Sequence, residues 1–261
     1  MIDEPYRWLE AVANRREYIQ DQLKSGSPII LVGYDRGLLL ATIGREHQKL
    51  FEVYDRVAFS AIGHPADIEK LRMVGIDMAH VEGFTRATQD VSVRRLVNFG
   101  VSPAVKAAFE QIFAAPYIAR MMFAELGDTE DEDVVCKIDY DGSFKVKSGG
   151  DHHALCDVVA GETQLESAML DWLREKLGDH RPSRDEALEL ALEAWITARH
   201  TTIEGEADKP EVKLPQNFDA RKALREEVKT GTIEAVVLDR SRPEDNKFAR
   251  LSEKDLRDVL K

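Results

Sequence analysis

Residues 49–63 (KLFEVYDRVAFSAIG) constrain this chain more than any other stretch. Apolar residues alternate with others over Leu50 to Val53, then run almost unbroken from Val57 to Ile62, with a turn at Tyr54-Asp55 between them. Alternation marks a strand with one covered face, whereas a short unbroken apolar run fits a strand covered on both. A second pair lies upstream: 29–34 (IILVGY), the turn Asp35-Arg36-Gly37, then 38–43 (LLLATI). Two hairpins in succession, joined by a linker that carries Lys49 and followed by Pro65 at the head of a helical pattern, commit this half of the chain to sheet with helix to cover it.

The remaining pattern predicts a helix over Trp8–Lys24, where Trp8, Val12, Ile19 and Leu23 recur at helical spacing, ended by Ser25-Gly26-Ser27-Pro28. Beyond the second hairpin, Ile68 and Leu71 carry a helix toward Met78. Another helix is predicted over Val91–Phe113, with a kink at Ser102-Pro103. Strands follow at Tyr117–Leu126, Val134–Tyr140, Phe144–Val146 and Leu155–Ala160, with Asp141-Gly142 as one hairpin turn. Glu162–Leu177 reads as a helix capped by Gly178, and Ser183 with Glu186 forms a capping box for the next one. Gly205–Pro215 is polar and reads as a surface excursion. Helical turns at Ala220–Lys229, strands at Ile233–Leu238 and Phe248–Leu251, and a short helix at Glu253–Leu260 complete the chain. Strands bunch and helices pair, which periodicity alone supports as α+β.

A formal charge of −12 over 261 residues argues against a general nucleic-acid binder and favours a solvated, crowding-tolerant surface. No run approaches the ~20 apolar residues of a membrane helix, and Met1-Ile2-Asp3-Glu4-Pro5 is acidic and has no apolar leader core. The expected location is cytoplasmic, without membrane partners. Cys136 and Cys156 have no CxxC spacing and are expected as reduced, packed side chains. His152-His153, with Asp151 and Cys156 nearby, are zinc-ligating types, but no second ligand pair stands at a fixed spacing. The reading is a polar loop, with no metal and no cofactor. GxSxG, HExxH and P-loop patterns do not occur.

The order and spacing of these stretches resemble those of proteasome core-particle subunits, nearest the bacterial α-type. Further matching stretches are Gly75-Ile76 through a Glu82-Gly83-Phe84 turn, Pro116-Tyr117 leading into a strand, 139–143 (DYDGS) and 233–239 (IEAVVLD). The resemblance implies the Ntn-hydrolase fold, a four-layer αββα sandwich with an N-terminal helix. It divides the chain into residues 1–24, a gate segment and ring-surface helix, and residues 25–261, the subunit body, with 205–230 as a surface insertion.

Active subunits of this family cut with an amino-terminal threonine freed by cleavage at a Gly-Thr bond, the free amine helping to take the hydroxyl proton. Here Ser27 follows Gly26 at that place, Ile43 stands near the position of the acidic partner, and only Lys49 matches. Cleavage at the other Gly-Thr pair, Gly231-Thr232, would sever the last strands. The resemblance therefore implies a structural and gating subunit with no catalytic residue, in a threonine-type protease complex whose β subunit does the chemistry. The alternative is a self-processing hydrolase with Ser27 as its amino-terminal nucleophile; a third reading is a scaffold that has lost any degradative role.

The resemblance further implies a heptameric ring of this chain, a β-subunit partner, an AAA+ ring ATPase as activator, and substrates tagged with a ubiquitin-like modifier. Lys49 is implied as the partner of the activator's C-terminal carboxylate, and Met1, Ile2, Asp3, Glu4, Pro5 and Tyr6 as the gate. The plainer alternatives are a solvated loop lysine and a frayed terminus.

Overall fold

The computed structural model describes residues 4–45, 47–111, 113–151, 155–178, 180–204, 211–216 and 218–259. Helix α1 (Glu4–Lys24) leads into β1 (Ile29–Tyr34) and β2 (Gly37–Gly44), then β3 (Leu50–Tyr54) and β4 (Val57–Gly63). Next come α2 (Pro65–Thr85), α3 (Val93–Leu96), α4 (Ser102–Glu110), β5 (Ala119–Glu125), β6 (Val134–Ile138), β7 (Phe144–Ser148) and β8 (Cys156–Val159). The chain closes with α5 (Thr163–Leu177), α6 (Arg184–His200), β9 (Thr202–Glu204), β10 (Glu211–Lys213), α7 (Ala220–Glu227), β11 (Thr232–Asp239), β12 (Phe248–Arg250) and α8 (Glu253–Val259). Among the described residues no helix is long and apolar enough to cross a membrane.

Both hairpins form, and each opens a different five-stranded antiparallel sheet. The first has the order β12-β11-β2-β1-β8 and the second β3-β4-β5-β6-β7. Strands β1 and β2 pair from Ile30↔Ala41 to Tyr34↔Gly37, and β11 covers β2 from Thr232↔Gly44 to Asp239↔Gly37. In the second sheet, β4 is an inner strand and is buried up to its last residue, as its nearly unbroken apolar run requires, while the edge strand β3 is only partly covered. Gly63 ends β4 at φ +131°, against the carbonyl of Ile118, a position only glycine fills without strain.

Three clusters of buried side chains fix the stacking. Ile30, Val32, Leu39, Ala41 and Val158 from one face of the first sheet pack with Met169 and Leu173 of α5 and with Leu188, Leu192 and Trp195 of α6. The opposite face, through Ile29, Leu31, Leu38, Leu40 and Val236, joins Leu50, Ala58, Met122 and Val135 of the second sheet, together with Ile19 and Leu23 of α1. Phe59, Ala61, Met121 and Phe123 on the remaining face meet Leu71 of α2, Val93 and Leu96 of α3, and Val105 of α4. Each fully covered Leu or Ile contributes about 1.5–3 kcal/mol. One set of charges is buried as well. Lys137 on β6 meets Glu166 of α5 at 2.9 Å and Asp157 of β8 at 3.2 Å, and Arg120 of β5 bonds Asp139 at 3.0 Å and stands 3.5 Å from Glu166. This network ties the second sheet to the edge of the first and to α5.

Several elements differ from the sequence-based expectation. Glu82-Gly83-Phe84 is not a turn but part of α2: Gly83 lets the helix press on the Tyr54 hydroxyl, and Glu82 pairs with Arg86 and Arg95. The predicted Val91–Phe113 helix is broken. It starts at Val93, whose N–H donates to the Glu125 carboxylate at 2.7 Å, and widens into a π turn over Val97–Val101 just before Pro103. Proline has no N–H to continue the ladder, and a π turn absorbs the mismatch. Helix α1 begins at Glu4 rather than Trp8. The polar stretch after α6 contributes a short ribbon of β9 with β10.

Candidate functional site

A cleft of about 690 Å³ opens where the ends of β2 and β4, the start of α2 and the end of α6 converge. Lys49 and Ser27 both line it. The geometry starts from α1. The Gly26 N–H closes on the Leu23 carbonyl at 2.8 Å, and a Cβ at Gly26 would sit 2.9 Å from that oxygen and 3.2 Å from Ile62. The backbone can therefore turn from helix into strand only with glycine here, and the turn delivers Ser27 to the cleft floor.

Ser27 is fully engaged. Its hydroxyl donates to the Ile43 carbonyl at 2.6 Å and accepts from the indole N–H of Trp195 at 3.1 Å. Its own carbonyl accepts from the Lys49 ammonium at 3.3 Å. Ile43 offers a backbone oxygen and an apolar side chain 3% exposed. A hydroxyl whose proton points at a carbonyl, in a peptide-bonded residue, is held as a structural pin rather than activated as a nucleophile.

Lys49 is placed by its backbone. The Glu234 carboxylate on β11 accepts the N–H groups of Lys49 at 3.0 Å and Leu50 at 3.4 Å, fixing the linker between the hairpins. Burial pushes the Lys49 ammonium down to about 8, opposed by the Glu234 charge and reinforced by the Arg199 guanidinium. A partly dry ammonium of this kind gains from an incoming carboxylate more than a solvated one does, because a charge-assisted hydrogen bond replaces weak solvation. Arg45, at the rim, is paired with Glu227 of α7 at 3.3 Å.

The other residues singled out in the sequence fall elsewhere. Met1, Ile2 and Asp3 lie outside the described residues, and Glu4, Pro5 and Tyr6 form the first turn of α1. The helical register of α1 thus reaches back to Glu4, ahead of the start predicted at Trp8. His152 and His153 also lie outside the described residues. Among the described residues no group of three or more His, Cys, Asp or Glu could hold a metal ion. Burial pushes the Cys136 thiol up to about 12 and that of Cys156 up to about 11, which keeps both protonated and inert. Thr232 opens β11, paired with Gly44. Trp195, Arg199 and Glu227 line the cleft and Glu234 stands behind Lys49; sequence periodicity reports only helix and strand for them, and the register of β11 on β2 with the packing of α6 and α7 brings them here.

No family model matches the chain. Curated relatives do, along most of its length. A protein of Xylanimonas cellulosilytica named proteasome subunit alpha is 29% identical over 239 residues, covering 90% of this chain and 86% of that protein. A proteasome subunit alpha of Streptomyces scabiei is 27% identical over 253 residues, covering 96% and 89%. The chain is similar along most of its length to bacterial proteins named proteasome subunit alpha. A proteasome subunit alpha of Acidothermus cellulolyticus reaches 30% over a shorter stretch of 142 residues, 54% of this chain and 60% of that protein. The longer two matches cover nine-tenths or more of the chain, so the similarity concerns most of its length and not one motif.

Proposed function

We propose that this chain is a non-catalytic α-type subunit of a bacterial proteasome core particle. In this reading its body is a four-layer αββα sandwich of the Ntn-hydrolase kind, residues 25–261, with residues 1–24 as gate segment and ring-surface helix. Seven copies form an outer ring, stacked on a β ring that holds the proteolytic sites, in the cytoplasm. The observation that carries the reading is the similarity to proteins named proteasome subunit alpha over nine-tenths of the chain.

The geometry of the cleft supports the division of labour. Ser27, the residue at the nucleophile's place, has its hydroxyl shared between Ile43 and Trp195, and Lys49 turns its ammonium to the Ser27 carbonyl rather than to that hydroxyl. What the cleft retains is a partly dry cation. In the proposed role Lys49 pairs with the C-terminal carboxylate of an AAA+ ring ATPase, which delivers substrates marked by a ubiquitin-like modifier. Met1, Ile2, Asp3, Glu4, Pro5 and Tyr6 obstruct the ring axis, carried there by α1. Helix α1 is suited to a fixed mount: Arg15 donates to the carbonyls of Ala108 and Phe109 at 3.0 Å and of Ala114 at 2.8 Å, and Gln20 bonds Tyr140 at 2.9 Å. In this reading the 205–230 insertion carries β10, which pairs with β9 just ahead of it, and α7, which packs on α6.

Co-expression with its β subunit tests the reading. A large particle with peptidase activity, formed only from both chains, is the expected result. Peptidase activity of this chain alone, or no association between the two, would overturn it.

A further inference from the structure

The cleft holds a second cation that docking through Lys49 alone leaves unexplained. Arg199 lies on α6 one turn beyond Trp195, with its guanidinium 6.0 Å from the centre of the Trp195 ring. The two cations are organised around one serine: the Trp195 indole under Arg199 donates to the Ser27 hydroxyl, and Lys49 donates to the Ser27 carbonyl. The acidic residues of the lining are committed elsewhere. Glu227 pairs with Arg45 and Glu69 makes a two-point bond to Arg72, while Glu234, behind the lining, accepts the amides of Lys49 and Leu50. Among the described residues neither Lys49 nor Arg199 forms an ion pair; the Glu234 charge favours the Lys49 ammonium from beyond pairing distance, and Arg199 is near enough to oppose it. On a chain of net charge −12 this is a local reversal of sign.

Two like charges facing one cleft are stabilised together only by anionic density at both. A single terminal carboxylate on Lys49 leaves the outer guanidinium with water as its partner. Building on the docking role proposed above, we propose that Arg199 is a specificity-determining residue: it takes a side-chain carboxylate from the last or the penultimate residue of the docking tail, so that the preferred partner ends in a segment carrying two negative groups. Arg suits the outer position, since its planar fork stacks on the indole and still offers donors to a carboxylate, whereas Lys49 serves the inner one as a compact point charge.

The test uses the full chain assembled with its β subunit and fluorescent peptides with free C-termini. Aspartate is compared with asparagine at the last position and at the penultimate position, and an amidated version of each serves as control. At low salt, aspartate at one of these positions should bind about threefold to fivefold more tightly than asparagine, the size that an exposed, partly screened pair supplies. Arg199→Gln should erase that preference while the asparagine peptides still bind and still lose binding on amidation, and Arg199→Lys should keep part of the preference. Equal affinity for aspartate and asparagine at both positions, with binding still lost on amidation, overturns the role of Arg199 and spares that of Lys49. A preference that survives in Arg199→Gln overturns it too. Binding that is indifferent to amidation removes the docking role itself, and this inference with it.

Discussion

At the scale of single residues, the cleft shows how burial rather than a new functional group sets the chemistry. Lys49 is a common residue made unusual by its site: burial, with help from Arg199 and against Glu234, lowers its titration to about 8. The sign of the pH effect follows. A carboxylate binds the protonated ammonium, so docking in the proposed role is full below pH 8 and weakens above it, by up to about tenfold per pH unit while the free cleft titrates and the docked one does not. Activator affinity measured from pH 7 to 9.5 should fall on this course, and a flat profile would contradict it. Lys49→Ala should weaken activator binding by roughly tenfold or more while size-exclusion still shows assembled rings; equal affinity in wild type and variant would remove the assignment. Glu166 belongs to stability. It accepts from Lys137 and from the Ala160 N–H, so Glu166→Gln leaves buried cations undercompensated and should cost on the order of 3 kcal/mol, read as a lower urea midpoint. Lys49 and Ser27 could be found in the sequence because a lysine in a short linker and a serine after a glycine stand out by position. Arg199 and Glu234 could not, because each is one polar residue on an otherwise ordinary helix or strand and acquires its meaning from a neighbour more than a hundred residues away.

At the scale of elements, legibility followed local chemistry. The capping box of Ser183 with Glu186 is present as its spacing implied, with the Glu186 carboxylate accepting the Ser183 N–H at 2.8 Å, and Gly178 closes α5 at φ +52°. The hairpins were readable because turn residues and apolar runs agree. The break between α3 and α4 was only half readable: Pro103 announces a disturbance, but the π turn and the start at Val93 depend on the Glu125 carboxylate of a different strand. Helix α1 begins at Glu4, ahead of its apolar stripe, which starts at Trp8 and marks only the later turns. Its mount has a functional consequence. Helix α1 is pinned by Arg15 and Gln20, so in the gating role removal of residues 1–6 clears the axis without loosening the body. Deleting residues 1–6 should raise hydrolysis of a short fluorogenic peptide by the assembled particle severalfold, with thermal stability unchanged. Unaltered hydrolysis would count against a gate at this end.

At the scale of the whole molecule, three buried clusters in succession account for the stacking of helices on both outer faces of two packed sheets. Sequence periodicity could assign the strands but not their sheets. Nothing local says that β2 pairs with β11 nearly two hundred residues later, or that the second hairpin opens a separate sheet instead of extending the first. That pairing creates the cleft, because it brings Glu234 to the linker that holds Lys49, while α6 supplies Trp195 to the serine at the end of α1. In an enzyme of this architecture the same corner would need a free terminal amine beside the hydroxyl; here the corner is spanned by a continuous backbone from α1 into β1. The account therefore stands on whether the working chain retains its first 26 residues. Native mass spectrometry of the active particle purified with its β subunit measures this directly, giving both the copy number and the intact mass of this chain. The account predicts seven copies per outer ring, each retaining residues 1–26, and all peptidase activity lost when the β subunit is omitted. A chain shortened to begin at Ser27, hydrolysing peptide without a β subunit, would contradict it.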